Sequence, residues 1–296
     1  QPSTLGHHLL AYAWMALRSV DRFTGSRSRL DVSPLGAGAS SGTSLGIDPE
    51  QSASLLGFGT VFSNSLDAVG SRDHVAEYVF CCAQAMVDLS RLAEEIVLWT
   101  STEFGWARLD DSVSTGSSAL PHKRNPDIAE LVRGRSARAA GDLAAVIALQ
   151  KGLPLAYNRD LQEDKRLVFD ADDVLESSLL AMTEMLGHIE FAPPMPEGAT
   201  ASLDLAEALV RRGIPFREAH KTVGMLIITL ENAGRSLTDA TFDDLKTAHD
   251  SFEEADLAVV DVEKSVTGER SPGSGTAASV HRQVTAIRSR IGADAG

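Results

Sequence analysis

Cysteine is nearly absent from this sequence, and the two cysteines that it has lie side by side. Cys81 and Cys82 fall within an apolar, periodic stretch of the 296-residue chain. A disulfide between adjacent residues is strained, because a normal disulfide needs about 4.4–6.8 Å between its two Cα atoms. We therefore expect two reduced thiols in a core, which is typical of cytoplasmic proteins.

Basic residues and long apolar runs are also scarce. Lys and Arg number 27 against 41 Asp and Glu, so the formal net charge is −14. Binding of duplex nucleic acid depends on neutralising phosphates with Lys and Arg. The run GMLIITL at 224–230 is far shorter than the roughly 20 apolar residues of a membrane helix. We expect neither nucleic acid nor a membrane as a partner.

The alternating pattern of strands is missing, and a helical period takes its place. Apolar or small residues step by three and four along one stretch: Ala76, Val79, Ala83, Met86, Ser90, Ala93 and Val97. This is the period of a helix in a bundle. Similar patterns predict long helices over 5–28, 126–150 and 165–186. We therefore predict an all-α fold, a bundle of long helices.

A proline-rich break divides the chain. The stretch FAPPMPEGAT at 191–200 stops any helix, because proline removes a backbone donor and clashes with the preceding turn. Shorter helices are predicted after it, over 202–212, 216–232, 242–262 and 278–291, with a loop at 267–277. We predict a central long-helix domain at 1–194 and a small C-terminal helical domain at 195–296.

Signals for a metal or a nucleotide are weak. GAGASSG at 36–42 does not follow a clear strand, as a dinucleotide-binding loop must. His7 and His8 are adjacent on a helical pattern and point to different faces, so they cannot chelate one ion together. The paired aspartates of the chain are typical of solvated turns and helix starts. We predict no metal and no cofactor.

The stretch STGSSALPHKRNPDIAELVRGR at 114–135 stands out from these weak signals. Asn125, Pro126 and Asp127 predict a helix start, with a capping side chain, a proline at the first helical position and an acid in the first turn. The unpaired N–H groups of such a start carry partial positive charge. A capped helix alone accounts for these three residues.

Polar residues that capping does not require precede this predicted helix start. Ser117 and Ser118 follow Gly116, and Lys123 adds a full positive charge nearby. Hydroxyls and a cation beside a helix N-terminus suit a carboxylate or a phosphate. The stretch therefore indicates an anion site with a hydroxyl placed over it.

The same residues carry a resemblance. TGSSALPHKRNPD at 115–127 resembles the signature GSSxMPxKxNP of the fumarase/aspartase superfamily, whose lyases expel fumarate, with Leu120 where Met is usual. Within it, PHKRNP is similar to adenylosuccinate lyases as well as to argininosuccinate lyases. Four further segments resemble the argininosuccinate lyase family: residues 31–50, 64–77, 151–165 and 213–220. The resemblance covers nearly the whole chain.

This resemblance implies cleavage of argininosuccinate into arginine and fumarate by acid/base β-elimination, a step of arginine biosynthesis. It makes Ser117 the general base, gives Lys123 the stabilisation of the charge on the substrate carboxylate, and makes Glu130 the partner of a histidine acid. It assigns substrate binding to five residues: Asn125, Tyr157, Gln162, Lys165 and Arg72. It also implies a homotetramer whose active sites are shared between subunits.

The resemblance leaves part of the site unassigned. Residue 1 is Gln and the first residues already follow a helical pattern, so we expect the chain to lack the family's N-terminal domain. The family's acid is a histidine in a Thr-His pair directly upstream of the Gln-Pro with which this chain begins. Three alternatives stay open: an adenylosuccinate lyase, a crystallin-like structural protein without activity, and a small-molecule binding module.

We predict that residues 1–296 alone do not cleave argininosuccinate, because a missing general acid typically costs about 10²–10⁴-fold in rate. Fumarate release, followed by ultraviolet absorbance on chain of verified mass, checks this. Addition of the family's N-terminal segment as a separate polypeptide should restore release. Normal turnover by the chain alone would refute the prediction, and His7, His8 and His74 would then be tested as the acid.

Overall fold

The computed structural model describes residues 1–120, 122–195, 198–267 and 270–294. Pro121 of the signature, residues 196–197 of the predicted break and residues 268–269 of the predicted loop therefore lie outside the described residues. Within the described residues every strand is only two or three residues long. The prediction of an all-α fold is confirmed.

Long helices dominate the part of the chain before the proline-rich break. In the described residues, four helices exceed 20 residues: α1 (Leu5–Leu30), α4 (Asp73–Trp99), α5 (Asp127–Gln150) and α6 (Asp164–Gly187). α2 (Pro49–Leu56) and α3 (Ser65–Gly70) are short. No helix in these described ranges is long and apolar enough to cross a membrane.

The apolar spacing of α4 explains its position at the centre of the bundle. Val79, Cys82, Met86, Ala93 and Ile96 are fully buried. Val79, Met86 and Ala93 belong to the predicted apolar row, and Cys82 and Ile96 lie one position away from it. α4 packs against both α5 and α6. A wide buried face of this kind is typical of an interior helix. Both cysteines are buried free thiols, and burial raises the pKa of Cys82 to about 12.

Short strand pairs connect the ends of the helices. β1 (Val32–Ser33) pairs in parallel with β2 (Thr60–Val61). β3 (Ala107–Leu109) pairs antiparallel with β6 (Ile189–Phe191), and β4 (Thr115–Gly116) pairs antiparallel with β5 (Arg124–Asn125). These segments are too short to show an alternating pattern, so apolar spacing does not predict them.

The pairing of β3 with β6 and a contact between α5 and α4 show the relative directions of the three central helices, α4, α5 and α6. β3 follows α4 and β6 follows α6, so the C-terminal ends of these two helices lie together. Arg133, in the second turn of α5, donates to Glu94 near the end of α4 at 2.5 Å. α5 therefore runs antiparallel to α4 and α6.

Caps define the ends of the shorter helices. Asp48 accepts a hydrogen bond from the Gln51 amide at 3.0 Å and Pro49 occupies the first turn of α2. Gly57 ends that helix at φ 82°, in the left-handed region that glycine tolerates best. The remaining α-helices of the described residues are α7 (Ser202–Arg211), α8 (Phe216–Asn232), α9 (Phe242–Ala248), α10 (Val262–Thr267) and α11 (Ala277–Asp294).

The prediction of one helix over 242–262 is wrong. α9 ends at Ala248, the next residue His249 has an extended backbone, and a 3-10 turn covers Glu254–Val259 before α10 begins. Phe252 in the interruption is fully buried. The Glu253 amide donates to the Asp256 carboxylate at 2.8 Å and starts a new turn. Burial of one aromatic side chain and a local cap thus replace helical hydrogen bonds.

Two compact units divide the structure. One comprises Trp14–Ala192, and the other comprises Gln1–Ala13 together with Pro193–Gly296. The second unit has its own core, a hydrophobic cluster that includes Leu205, Leu209, Leu230, Leu245 and Phe252. The predicted domains, 1–194 and 195–296, differ from these units at residues 1–13 and 193–194, and the domain division stays a prediction.

We expect Phe252→Ala to destabilise the C-terminal unit by about 3–5 kcal/mol, because it leaves a cavity where a fully buried ring was. Urea unfolding followed by circular dichroism measures this loss. Phe216→Ala is the matched control, since Phe216 is 51% exposed. Equal effects of the two substitutions would contradict the importance assigned to Phe252.

Candidate active site

A hairpin carries the residues of the signature. β4 and β5 pair with Thr115 opposite Asn125 and Gly116 opposite Arg124, and α5 begins two residues later. The Thr115 hydroxyl donates to the Asp127 carboxylate in the first turn of α5. These contacts fix the base of the hairpin against the start of the helix.

A second contact of the hairpin is an ion pair between Arg124 of β5 and Asp111. Arg124 Nε donates to Asp111 Oδ1 at 2.6 Å, and this hydrogen bond lowers the pKa of the Asp111 carboxyl below its usual range. The pair is solvent-exposed, so salt and water screen it. Since a lowered pKa means that Asp111 loses its charge only in acid, the contact persists at neutral pH.

Ser117 lies where the hairpin leaves β4. Its Oγ accepts hydrogen bonds from the Ala119 amide at 3.2 Å and from the Leu120 amide at 3.1 Å. Two amide donors aimed at one hydroxyl oxygen favour negative charge on that oxygen. Lys123, directly before β5, is exposed, and its backbone amide donates to the Leu120 carbonyl at 3.1 Å. The arrangement suits a serine that acts as a base.

The prediction that Asn125 caps α5 is wrong. Asn125 belongs to β5, the capping position is Pro126, and that cap has no side-chain hydrogen bond. The residue before a proline prefers an extended backbone, and pairing with Thr115 holds Asn125 in that state. The Asn125 amide is therefore not used to cap the helix. Glu130 is exposed, in the first turn of the same helix.

A second cluster lies at the start of α6. Asp164 is buried, and its carboxylate accepts from Arg72 Nε at 2.6 Å and from Lys165 Nζ at 2.6 Å. A 3-10 turn, Arg159–Glu163, precedes the helix and carries Gln162. Tyr157 lies just before this turn and is 48% exposed. The predicted binding residues Arg72, Tyr157, Gln162 and Lys165 thus share one end of the bundle.

The hairpin and this second cluster lie at opposite ends of the central helices. Arg72 precedes α4 and Asp164 begins α6, whereas the hairpin precedes α5, which runs the other way. α5 has 24 residues, roughly 36 Å at the ~1.5 Å rise per residue of an α-helix. One chain therefore does not bring Ser117 and Lys165 into a single site.

Two grooves elsewhere on the structure do not contain the predicted residues. One of about 480 Å³ lies between α8 and α9, and one of about 540 Å³ lies beside α2 and β2. Neither is lined by a residue of the hairpin or of the cluster around Asp164. Among the residues that the structure describes, no group of three or more His, Cys, Asp or Glu side chains could hold a metal ion.

Sequence reasoning missed the residues that hold the predicted ones in place. Asp164 lies in one of the segments that carried the resemblance, but nothing in its neighbours indicates a buried carboxylate. The amides of Ala119 and Leu120 could not be identified from residue types, because every residue except proline has an amide.

Known proteins match this chain along most of its length. A family model described as "Lyase" matches residues 1–141, and one described as "Argininosuccinate lyase C-terminal" matches residues 199–267. The argininosuccinate lyase of Symbiobacterium thermophilum is 46% identical over 290 residues, which are 96% of this chain and 63% of that protein. The chain belongs to the argininosuccinate lyase family. The enzyme of Carboxydothermus hydrogenoformans is 49% identical over 86% of this chain and 57% of its own length.

Solved structures agree with this family. The crystal structure of EDDS lyase in complex with formate is 29% identical to the chain, with a TM-score of 0.87, over 99% of this chain and 61% of that one. The bundle of long helices predicted from the apolar period is thus confirmed. The chain spans less than two thirds of the length of each of these three proteins.

Proposed function

We propose that this chain is the helical part of a lyase that splits argininosuccinate into arginine and fumarate. The observation that supports this most directly is the Ser117 hydroxyl, which accepts hydrogen bonds from two amides on a hairpin that also carries Lys123 and Asn125. The chain is also 46% identical to a known argininosuccinate lyase. Adenylosuccinate lyase activity and a structural role without catalysis are the alternatives, and assays with both substrates separate them.

The first step is removal of a proton from the carbon beside a carboxylate of the substrate. Ser117 Oγ, previously deprotonated, takes this proton, and the electron pair of the C–H bond moves onto that carboxylate. The Lys123 ammonium and the side-chain amide of Asn125 stabilise the added charge. Donors that are already oriented contribute most where charge develops in the transition state, and the hairpin supplies such donors.

The second step breaks the bond between the next carbon and the guanidino nitrogen. The electron pair on the carboxylate returns to form the double bond of fumarate, and the nitrogen leaves with the C–N pair. An acid protonates the leaving nitrogen. Glu130, at the hairpin end of α5, orients the histidine that we expect to provide this proton.

The binding residues come from another copy of the chain. Tyr157, Gln162 and Lys165 lie at the far end of α5 from Ser117, so a complete site needs at least two chains. Large apolar side chains are exposed on the long helices and would be covered in an oligomer: Phe80, Val87, Leu131, Ile147, Phe169 and Leu180. We propose a homotetramer with shared sites, working in the cytoplasm, where the buried thiols of Cys81 and Cys82 stay reduced.

We predict that Ser117→Ala, in a full-length lyase that contains this chain, lowers kcat by about 10³-fold or more, because it removes the base. KM should change little, since the binding residues remain. Steady-state fumarate release measures both constants. If the variant keeps a tenth of normal turnover, Ser117 is not the base, and Ser118→Ala is the next variant to assay.

We also predict that two impaired variants complement each other. Ser117→Ala damages the hairpin end of a chain and Lys165→Ala damages the other end. Subunits of both kinds, unfolded and refolded together, can place an intact hairpin from one chain beside an intact Lys165 end from another. Fumarate release from the mixture should exceed that of either variant refolded alone. A mixture no more active than its parents would contradict a shared site.

A further inference from the structure

The segment 156–165 carries three of the predicted binding residues, Tyr157, Gln162 and Lys165. Between the end of α5 at Gln150 and the start of α6 at Asp164, its regular structure is the 3-10 turn Arg159–Glu163. A 3-10 turn has poorer hydrogen-bond geometry than an α-helix and is used only in short pieces. The orientation of the three side chains therefore depends on contacts at the two ends of the segment.

The first end of the segment 156–165 lies against Gly70, the last residue of α3. Ala156 has φ 72° and is the only non-glycine residue with positive φ in the described part of the chain. Asn158 Nδ2 donates to the carbonyls of Pro154 at 2.9 Å and of Ala156 at 3.2 Å. A Cβ at Gly70 would lie 2.8 Å from the Ala156 oxygen. The strained backbone before Tyr157 thus rests on a position that only glycine leaves open.

The second end of the segment 156–165 is held by the ion pair between Arg72 and Asp164. The Asp164 side chain is 2% exposed, and Arg72 Nε reaches its Oδ2 at 2.6 Å. Arg72 Nη1 also donates to the Ser71 carbonyl at 2.6 Å, and the Arg72 side chain is only 16% exposed. The guanidinium is therefore directed into the protein, towards the Ser71 backbone and the Asp164 carboxylate.

Lys165 uses the other oxygen of the same carboxylate. Its Nζ lies 2.6 Å from Asp164 Oδ1, while its side chain is 58% exposed. One negative charge thus stands between two positive charges, and the group keeps a net charge of +1. Arg72 compensates the buried carboxylate, and the more exposed Lys165 ammonium remains for an anion from outside.

We propose that Gly70, Arg72 and Asp164 are positioning residues, which hold the segment 156–165 from both ends and orient Lys165 towards the substrate carboxylate. Arg72 acts through Asp164 and does not contact the substrate. This inference rests on the proposed function, because it concerns the binding half of the same site.

A double-mutant cycle tests the link between Arg72 and Asp164. In the full-length lyase, Arg72→Gln and Asp164→Asn should each raise KM about tenfold or more with a smaller change in kcat, because Lys165 holds ground state and transition state alike. The double variant should be no worse than the more damaged single variant, since both substitutions break one contact. Additive effects would mean that Arg72 contacts the substrate, and either single variant with normal KM would also overturn the proposal.

Amide hydrogen exchange provides a readout that does not involve the substrate. Exchange within residues 157–165 should become faster in both variants and stay unchanged in Glu77→Gln. Glu77 is the matched control, because its pair with Arg29 lies on the exposed surface of α4. If the lyase releases no fumarate from argininosuccinate, the proposed function fails, and exchange still decides the positioning role. Unchanged exchange in both variants would overturn it.

Gly70→Ala tests the other end without removing a charge. The added methyl group would press on the Ala156 backbone, so we expect a higher KM and faster exchange around Tyr157. Gly224→Ala in α8, where a Cβ meets nothing within 4 Å, controls for the substitution itself. Normal KM and normal exchange in Gly70→Ala would refute the role of Gly70.

Discussion

The packing of α5 against α4 and α6, which both run in the opposite direction, is the constraint on which the arrangement of the site depends. Ala129, Val132, Ala139 and Val146 form the buried face of α5, and these side chains let the helix lie close to α4 and α6. Close packing along 24 residues makes the three helices a rigid spacer. Whatever precedes α5 is consequently held far from whatever precedes α4 and α6.

The polar groups at the two ends of this spacer are fixed by different means. At the hairpin end the contacts are exposed: Arg124 with Asp111, and Thr115 with Asp127. At the other end the carboxylate of Asp164 is buried. A buried charge must keep its partner, because its separation leaves it without solvent or counter-charge, whereas an exposed pair can exchange its partner for water. The Asp164 end is thus the more firmly fixed of the two.

The sequence predicted those parts of the fold that depend on apolar spacing. The bounds of α8 agree with the prediction of 216–232, and those of α5 and α6 agree to within one residue. The prediction failed where one local contact outweighs the pattern. Phe252 leaves the helical path to fill the core of its unit, and Asn125 is extended because it pairs with Thr115. Periodicity contains no information about such choices.

The residues of the candidate site likewise divide into those that the sequence predicts and those that it does not. Ser117, Lys123 and Asn125 could be selected from sequence because hydroxyl, ammonium and amide groups stand together on one short stretch. Asp164 could not, because its burial depends on Arg72, which lies 92 positions earlier in the chain. An aspartate beside a lysine is ordinary surface composition until an arginine approaches from another element. The charge that Lys165 presents to solvent is therefore a property of the tertiary structure: without Arg72, the single carboxylate of Asp164 would neutralise it.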